Sequence, residues 1–194
     1  MKFGEAKLIE ILKDPGSPVF AKDKACQRLA VIGTSEAVPV LAGLLSDNQF
    51  AHYARTGLEA NPDPSVDEAF RNALGKLNGT LLVGVINSIG WRRDAKASSA
   101  LLKLINDKDA EVAGAAAAAL GRIGSTQAAD ALGKALRSPK APAFPAAADA
   151  ALVCAERLLA QGNRKQARAL YTALNRPEVP KAVRTAAELG IKKV

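Results

Sequence analysis

The chain repeats itself, and the repeat limits what it can fold into. Three segments close a helical pattern with nearly the same phrase: Leu29-Ala30-Val31-Ile32-Gly33-Thr34, Ile86-Asn87-Ser88-Ile89-Gly90 and Leu120-Gly121-Arg122-Ile123-Gly124-Ser125. Gly33 and Gly124 lie 91 residues apart, three units of about 30. A weaker copy, Leu58-Glu59-Ala60-Asn61-Pro62, falls between the first two. There Asn61 takes the place of Gly, since both residues tolerate the left-handed conformation that closes a helix. A second phrase follows: Val38 to Asp47, then Ala97 to Asp107, then Ala128 to Arg137. Its apolar positions recur at three and four residues, the helical period. Each unit therefore reads as helix A, a tight Gly turn, helix B and a polar turn. One such pair cannot bury its own apolar stripe, so neighbours must stack into a continuous core. The expected fold is all-α, an α-solenoid with a right-handed superhelix of about six stacked helix pairs.

The period places helices at roughly 3–13, 18–33, 35–46, 48–60, 65–77, 80–90, 95–106, 109–123, 126–137, 143–161, 163–175 and 178–191. No segment alternates with a period of two, so no sheet is expected. Ser65-Val66-Asp67-Glu68 has the form of a capping box, with Ser65 at the cap. Thr34 and Ser125 are placed to cap the helices after their Gly turns. Pro62, Pro64, Pro139 and Pro142 sit between periodic segments, where they break no helix. The run Ala115 to Ala119 fits a helix whose small side chains let neighbours approach closely.

Composition narrows the function classes. Aromatics are 4% of the chain, so Ala, Leu and Val carry the core. No run of about 18 apolar residues is present, so no membrane span is expected. The opening Met1-Lys2-Phe3-Gly4-Glu5-Ala6-Lys7 is not a signal peptide. Cys26 and Cys154 have no His nearby and read as small buried hydrophobes. His52, the sole histidine, has Tyr53 and Arg55 as neighbours, which is no ligand set and no catalytic pair. Gly121-Arg122-Ile123-Gly124-Ser125 ends a helix instead of opening one after a strand, so it is a helix C-terminus and no phosphate loop. No cofactor, metal or catalytic residue is expected. The net charge of +8 is uneven: residues 1–90 hold 9 Lys/Arg against 10 Asp/Glu, and residues 91–194 hold 18 against 9.

Asp109-Ala110-Glu111-Val112, then Ala118-Ala119-Leu120-Gly121-Arg122-Ile123-Gly124, then Ala128-Ala129 with Leu132 and Leu136, resembles the short bacterial HEAT repeat. That is the type also named for phycobilisome lyase-like proteins. The likeness spans about residues 5–140. In the family, Arg usually follows the Val of helix A; here the position is Ala113, which puts the Asp–Arg link between units in doubt. Leu158, Gly162, Ala167, Tyr171 and Pro177 resemble a degenerate tetratricopeptide-type pair, and Pro180, Val183 and Arg184 begin another HEAT-like helix. The expectation is one continuous domain over 1–194, HEAT-like over 1–140 with a tetratricopeptide- or HEAT-like continuation over 141–194, cut from a longer array. Such repeats are similar to those of large bacterial proteins, often exported, which leaves a cytosolic protein and a piece of an exported one both open; a monomer is expected. HEAT-like metal hydroxylases use His–Glu pairs, which this chain does not have.

Two surface features carry the functional reading. Trp91-Arg92-Arg93-Asp94 holds the sole Trp and a double Arg in a turn. It has the parts to stack a base or clamp a phosphate or carboxylate. In the plainer reading, Trp91 plugs a gap between units while Asp94 caps the next helix. Lys103 and Lys134 are 31 residues apart, one repeat, and Arg137, Arg164, Lys165 and Arg168 extend the basic character. A basic stripe of this kind suits an acidic protein, nucleic acid or another polyanion; the plainer reading is a solvated polar face. The leading function is a non-catalytic protein-interaction scaffold, since stacked helix B rows offer a long binding face. The alternative is nucleic-acid or polyanion binding through the basic second half. A lyase accessory or a DNA-glycosylase-like enzyme comes third. Solenoid glycosylases present Trp and Asp on a basic face, but with several further aromatics that are missing here.

Overall fold

A computed structural model describes residues 3–194. Among them there is no β-strand, and twelve α-helices follow one another. These are α1 (Glu5–Lys13), α2 (Val19–Ile32), α3 (Val38–Gly43), α4 (Ala51–Ala60), α5 (Ser65–Leu74) and α6 (Gly79–Arg92). They continue as α7 (Ser98–Leu104), α8 (Ala110–Ile123), α9 (Thr126–Ala135), α10 (Phe144–Ala160), α11 (Arg164–Leu174) and α12 (Lys181–Ile191). Each coincides with a segment of helical period in the sequence. The spans 35–46 and 95–106 are less uniform than the period suggests. Ser35–Ala37 and Ala95–Ala97 are single turns of 3₁₀ helix that lead into α3 and α7.

Short polar side chains start the helices. Thr34 Oγ1 accepts from the amide of Glu36 at 3.3 Å, and Asp94 Oδ1 from that of Lys96 at 3.0 Å. Asp109 accepts from Glu111 at 2.9 Å, and Ser125 from Ala128 at 3.1 Å. Each satisfies an amide that the first helical turn leaves without a partner. The capping box at Ser65 is not formed. Ser65 is already the first helical residue, and Asp63 Oδ1 accepts from its amide at 2.9 Å and from its hydroxyl. An Asp two residues ahead offers the same bond two residues on, as an Asx turn, and here it prevails.

Packing gathers the chain into two compact units, Met1–Ser88 and Ile89–Val194, with the division inside α6. In the first unit α2 and α4 lie side by side in one row, and α1, α3 and α5 form the second row. Leu41, Leu58 and Phe70 fill the space between and are fully buried. Successive pairs are tied by polar side chains. Glu5 accepts from the Thr34 amide at 2.6 Å and from its hydroxyl. Asn61 Nδ2 donates to the carbonyls of Thr34 at 2.8 Å and Gly33 at 3.3 Å. Ser88 Oγ donates to Glu59. These bonds, each 27–29 residues long in sequence, are one repeat in reach.

In the second unit α8, α10 and α12 form one row, with α7, α9 and α11 the other. Here the helices close on small residues. Ala116, Ala117 and Ala119 of α8 are fully buried, as is Ala113, at the position where the family carries Arg. A Cβ placed on Gly90 would stand 2.8 Å from Ala119 Cα, and one on Gly121 would stand 2.5 Å from the Ala150 carbonyl oxygen. No real side chain tolerates such distances, so both positions must stay bare.

This corrects the role of the repeated glycines. Gly33 and Asn61 follow their helices in extended conformations, with φ of −67° and −76°. Of the repeated phrases only Gly124 closes in the left-handed region, at φ 70°. Gly90 is inside α6, where it admits α8. The left-handed residue after α6 is Arg93, at φ 60°. The units therefore register Gly33 with Arg93 and Gly124, each immediately before the capping residue Thr34, Asp94 or Ser125.

Candidate functional site

The outer face of the helix B row in the second unit gathers three of the basic candidates, Lys103, Lys134 and Arg137. Lys103 and Lys134 are each the ninth residue after their caps, Asp94 and Ser125, and stand exposed in the last turns of α7 and α9. Leu101 and Leu132, two positions earlier, point the other way and are fully buried. Each Lys is thus on the crest of its helix, opposite the core. Arg137, just past α9, is also exposed.

Two grooves flank the crest of α9. On the α7 side, Leu102, Ile105 and Asn106 face Gln127, Asp130 and Lys134 across an opening of about 410 Å³. On the α11 side, Lys134 and Arg137 face Gln166, Ala169 and Leu170 across about 240 Å³. Lys134 borders both. Asp130, one turn before it, also borders both and places a carboxylate among the cations. The neutral and acidic members of this surface, Gln127, Asp130 and Gln166, escaped the sequence reading, which followed positive charge alone. Their spacing on the helix B crest was the available signal.

Arg164 and Arg168 are not part of these grooves. Gln166, Ala169 and Ala173 turn toward α9, and at 3.6 residues per turn Arg164 and Arg168 are carried to the opposite flank of α11. Arg164 reaches the C-terminal end of α12 instead, where its Nη2 donates to the Lys193 carbonyl at 3.3 Å. Lys165 is exposed on the same helix.

Trp91 does not plug a gap. It is 61% exposed at the end of α6, with Arg92 half-buried and Arg93 exposed beside it. The plainer reading fails because the neighbouring gap is closed by backbone: Gly90 lies against Ala119, leaving no room for an indole. A Cβ on Gly90 would be 3.6 Å from Arg122 Cδ, so the Arg122 side chain also runs past this turn. The other half of that reading holds, since Asp94 is buried and caps the turn that follows.

The remaining chemistry-bearing residues are dispersed. His52 is exposed and edge-on to Tyr53 at 5.6 Å. No three His, Cys, Asp or Glu side chains come together as a metal site among the described residues. No described helix is long and apolar enough to cross a membrane. Cys26 and Cys154 are free and buried, and burial pushes both thiols up to about 12.

A model of HEAT repeats matches residues 57–153, half of the chain. The chain belongs to the HEAT-repeat family. No curated protein matches it. Among solved structures, an engineered protein from the Northeast Structural Genomics Consortium superposes with a TM-score of 0.59 at 19% identity, over 99% of this chain and 96% of that one. At that identity the likeness speaks for the fold alone, and it agrees with an all-helical repeat. Human deoxyhypusine hydroxylase, in complex with glycerol, gives a TM-score of 0.46 at 18% identity over 97% of this HEAT chain and 73% of its own.

Proposed function

We propose that this HEAT-repeat chain is a non-catalytic interaction scaffold whose second unit binds an acidic protein segment along its helix B face. The observation that carries the reading is the crest of α9. Lys134 borders two adjacent grooves with Ala and Leu in their walls, and Lys103 stands at the equivalent place one repeat away. Apolar walls give a partner surface to bury, and cations at one-repeat spacing set its register and sign. The test uses a Glu-rich helical peptide titrated at about 50 and 200 mM salt. Binding should weaken with salt and fall at least tenfold in the Lys103→Glu/Lys134→Glu protein. Charge reversal at Lys192 and Lys193 should leave it within twofold. Loss that is equal in both variants would reduce the face to net charge.

The exposure of Trp91 supports a second reading, in which the turn at Trp91, Arg92 and Arg93 stacks and neutralises single-stranded nucleic acid. Single-stranded DNA bound tightly by the Lys103→Glu/Lys134→Glu protein and released by Trp91→Ala would favour it over the first.

A further inference from the structure

The first unit has an open apolar groove between α1 and α2, of about 500 Å³, lined by Phe3, Leu8, Ile11 and Phe20 and walled by Lys24 and Arg28. Phe20 is 71% exposed and Phe3 44%, a large apolar surface for a chain with so few aromatics. Both cations come from α2, one turn apart, and no carboxylate lines the groove. Lys24 Nζ lies over the Phe20 ring at 5.5 Å, so the positive charge is held at the apolar floor.

The second unit shows what fits a groove of this kind. There α8 packs on both α9 and α10, on the side that corresponds to the opening between α1 and α2. The registers match through Leu29 and Leu158, each five residues before the residue that precedes the next helix or turn, Thr34 and Asn163. In that register Arg28 corresponds to Arg157. Arg157 lies against Gly124 at the C-terminal end of α8; a Cβ on Gly124 would meet its Cβ at 2.8 Å. A cation at this position thus sits beside the negative end of a crossing helix. Lys24 corresponds to Val153, which stays 43% exposed at the edge of the filled groove, so the open groove adds a cation at its rim.

We infer that the groove between α1 and α2 is a docking site for an amphipathic α-helix of a partner protein, bound by an apolar stripe over Phe3, Ile11 and Phe20 and by acidic residues in its C-terminal half facing Lys24 and Arg28. A second copy of this chain is the poorer occupant. Its α12 begins with Lys181 and Arg184 and is followed at once by Lys192 and Lys193, with Glu188 the one acidic residue of this stretch, and it would bring cations to cations.

The test uses two synthetic helical peptides with the same Leu stripe, one with Glu and one with Lys in the C-terminal half, measured by fluorescence anisotropy at about 150 mM salt. The Glu peptide should bind at least tenfold more tightly than the Lys peptide. Lys24→Glu/Arg28→Glu should reverse the preference, and Phe20→Ala should weaken both peptides, with far-UV circular dichroism unchanged. Amide shifts on titration should fall in residues 5–28. Equal binding of the two peptides, shifts confined to the second unit, or a preference unmoved by the charge reversal would overturn the proposal. So would a concentration-dependent dimer abolished by Phe20→Ala, which would give the groove to a second copy. Tight uptake of oleate that displaces the Glu peptide would overturn it in favour of an amphipathic lipid.

Discussion

In the first unit the turn at Gly33–Thr34 is held from both sides, by Glu5 from one repeat and Asn61 from the next. In the second unit the corresponding turn at Gly124–Ser125 receives, among the described residues, the Cys154 thiol alone, 3.9 Å from the Ser125 carbonyl. Close contact of Gly90 and Gly121 with Ala119 and Ala150 replaces the missing bonds. At these turns the same stacking is thus reached by two chemistries, directional polar bonds in the first unit and bare backbone contact in the second, where a polar bond of one-repeat reach returns between Arg164 and Lys193. Their weaknesses differ accordingly. A polar joint fails when a partner is removed, and a bare joint fails when an atom is added.

The largest break should come from adding one methyl group. Alanine in place of a helical glycine contributes about 1 kcal/mol through propensity. At Gly121 the new Cβ would stand 2.5 Å from the Ala150 carbonyl oxygen, which no rotamer change can move. Overpacking at the upper end of its usual range, about 3 kcal/mol, therefore prevails, and Gly121→Ala should destabilise the second unit by about 2 kcal/mol. At Gly57 the nearest atom is the Leu41 Cδ1, 3.1 Å away at the end of a side chain that need give by only a few tenths of an ångström, so Gly57→Ala should be near neutral. Urea denaturation followed by amide exchange in each unit separates the two. Equal losses would erase the distinction between the units.

Removing a partner should reverse the ranking. Asn61→Ala leaves two turn carbonyls without their donor and should cost about 1–3 kcal/mol, read as faster exchange at the amides of residues 34–38. Cys154→Ala removes a weak donor and little volume, and about 1 kcal/mol or less is expected. A larger loss at Cys154 would mean that the second unit also depends on its side-chain joint.

The turns allow a smaller and opposite change. Arg93 holds a left-handed conformation that costs a side-chain-bearing residue about 1–2 kcal/mol. Arg93→Gly should therefore stabilise the second unit by about 0.5–1 kcal/mol, as a rise in calorimetric Tm. Gly124→Ala, at the same register, should lower it.

The smallest effect is in acid. Hydrogen bonds hold the carboxyls of Asp14 and Asp63 below the usual carboxylate range: the Gly16 amide and Ser17 hydroxyl for Asp14, the Ser65 hydroxyl and amide for Asp63. A depressed folded pKa adds stability that is complete above the unfolded value, near 4, and is lost as pH falls through the folded one. Both groups are exposed and in the first unit, so its amide protection should decline gently below about pH 4. Asp14→Asn with Asp63→Asn should flatten that decline.

The helices were legible because the 3.6-residue period is written in Leu, Val and Ala and broken by Pro, Asp and Asn between segments. What each glycine does was not. A glycine near a helix end has the same letter whether it turns the chain, as Gly124 does, or admits a neighbour, as Gly90 does. The second use depends on a residue such as Ala119, about thirty positions away. Lys103 and Lys134 were found as a pair because repeat spacing preserves the face of a helix. Arg164 and Arg168 were drawn into the same set by charge alone, and α11 turns them to its other flank. Trp91 misled because a lone large aromatic suggests a core, whereas the joint beside it was already closed by Gly90.

The two cysteines have a practical consequence. Cys26 lies in the first unit and Cys154 in the second, both with no exposed surface. A thiol reagent can reach each sulfur only when its own unit opens. The protein thus carries two built-in stopwatches, one per unit, read by the mass gained on timed alkylation. They report which half comes apart first, and how often, with no probe engineered in and no residue replaced.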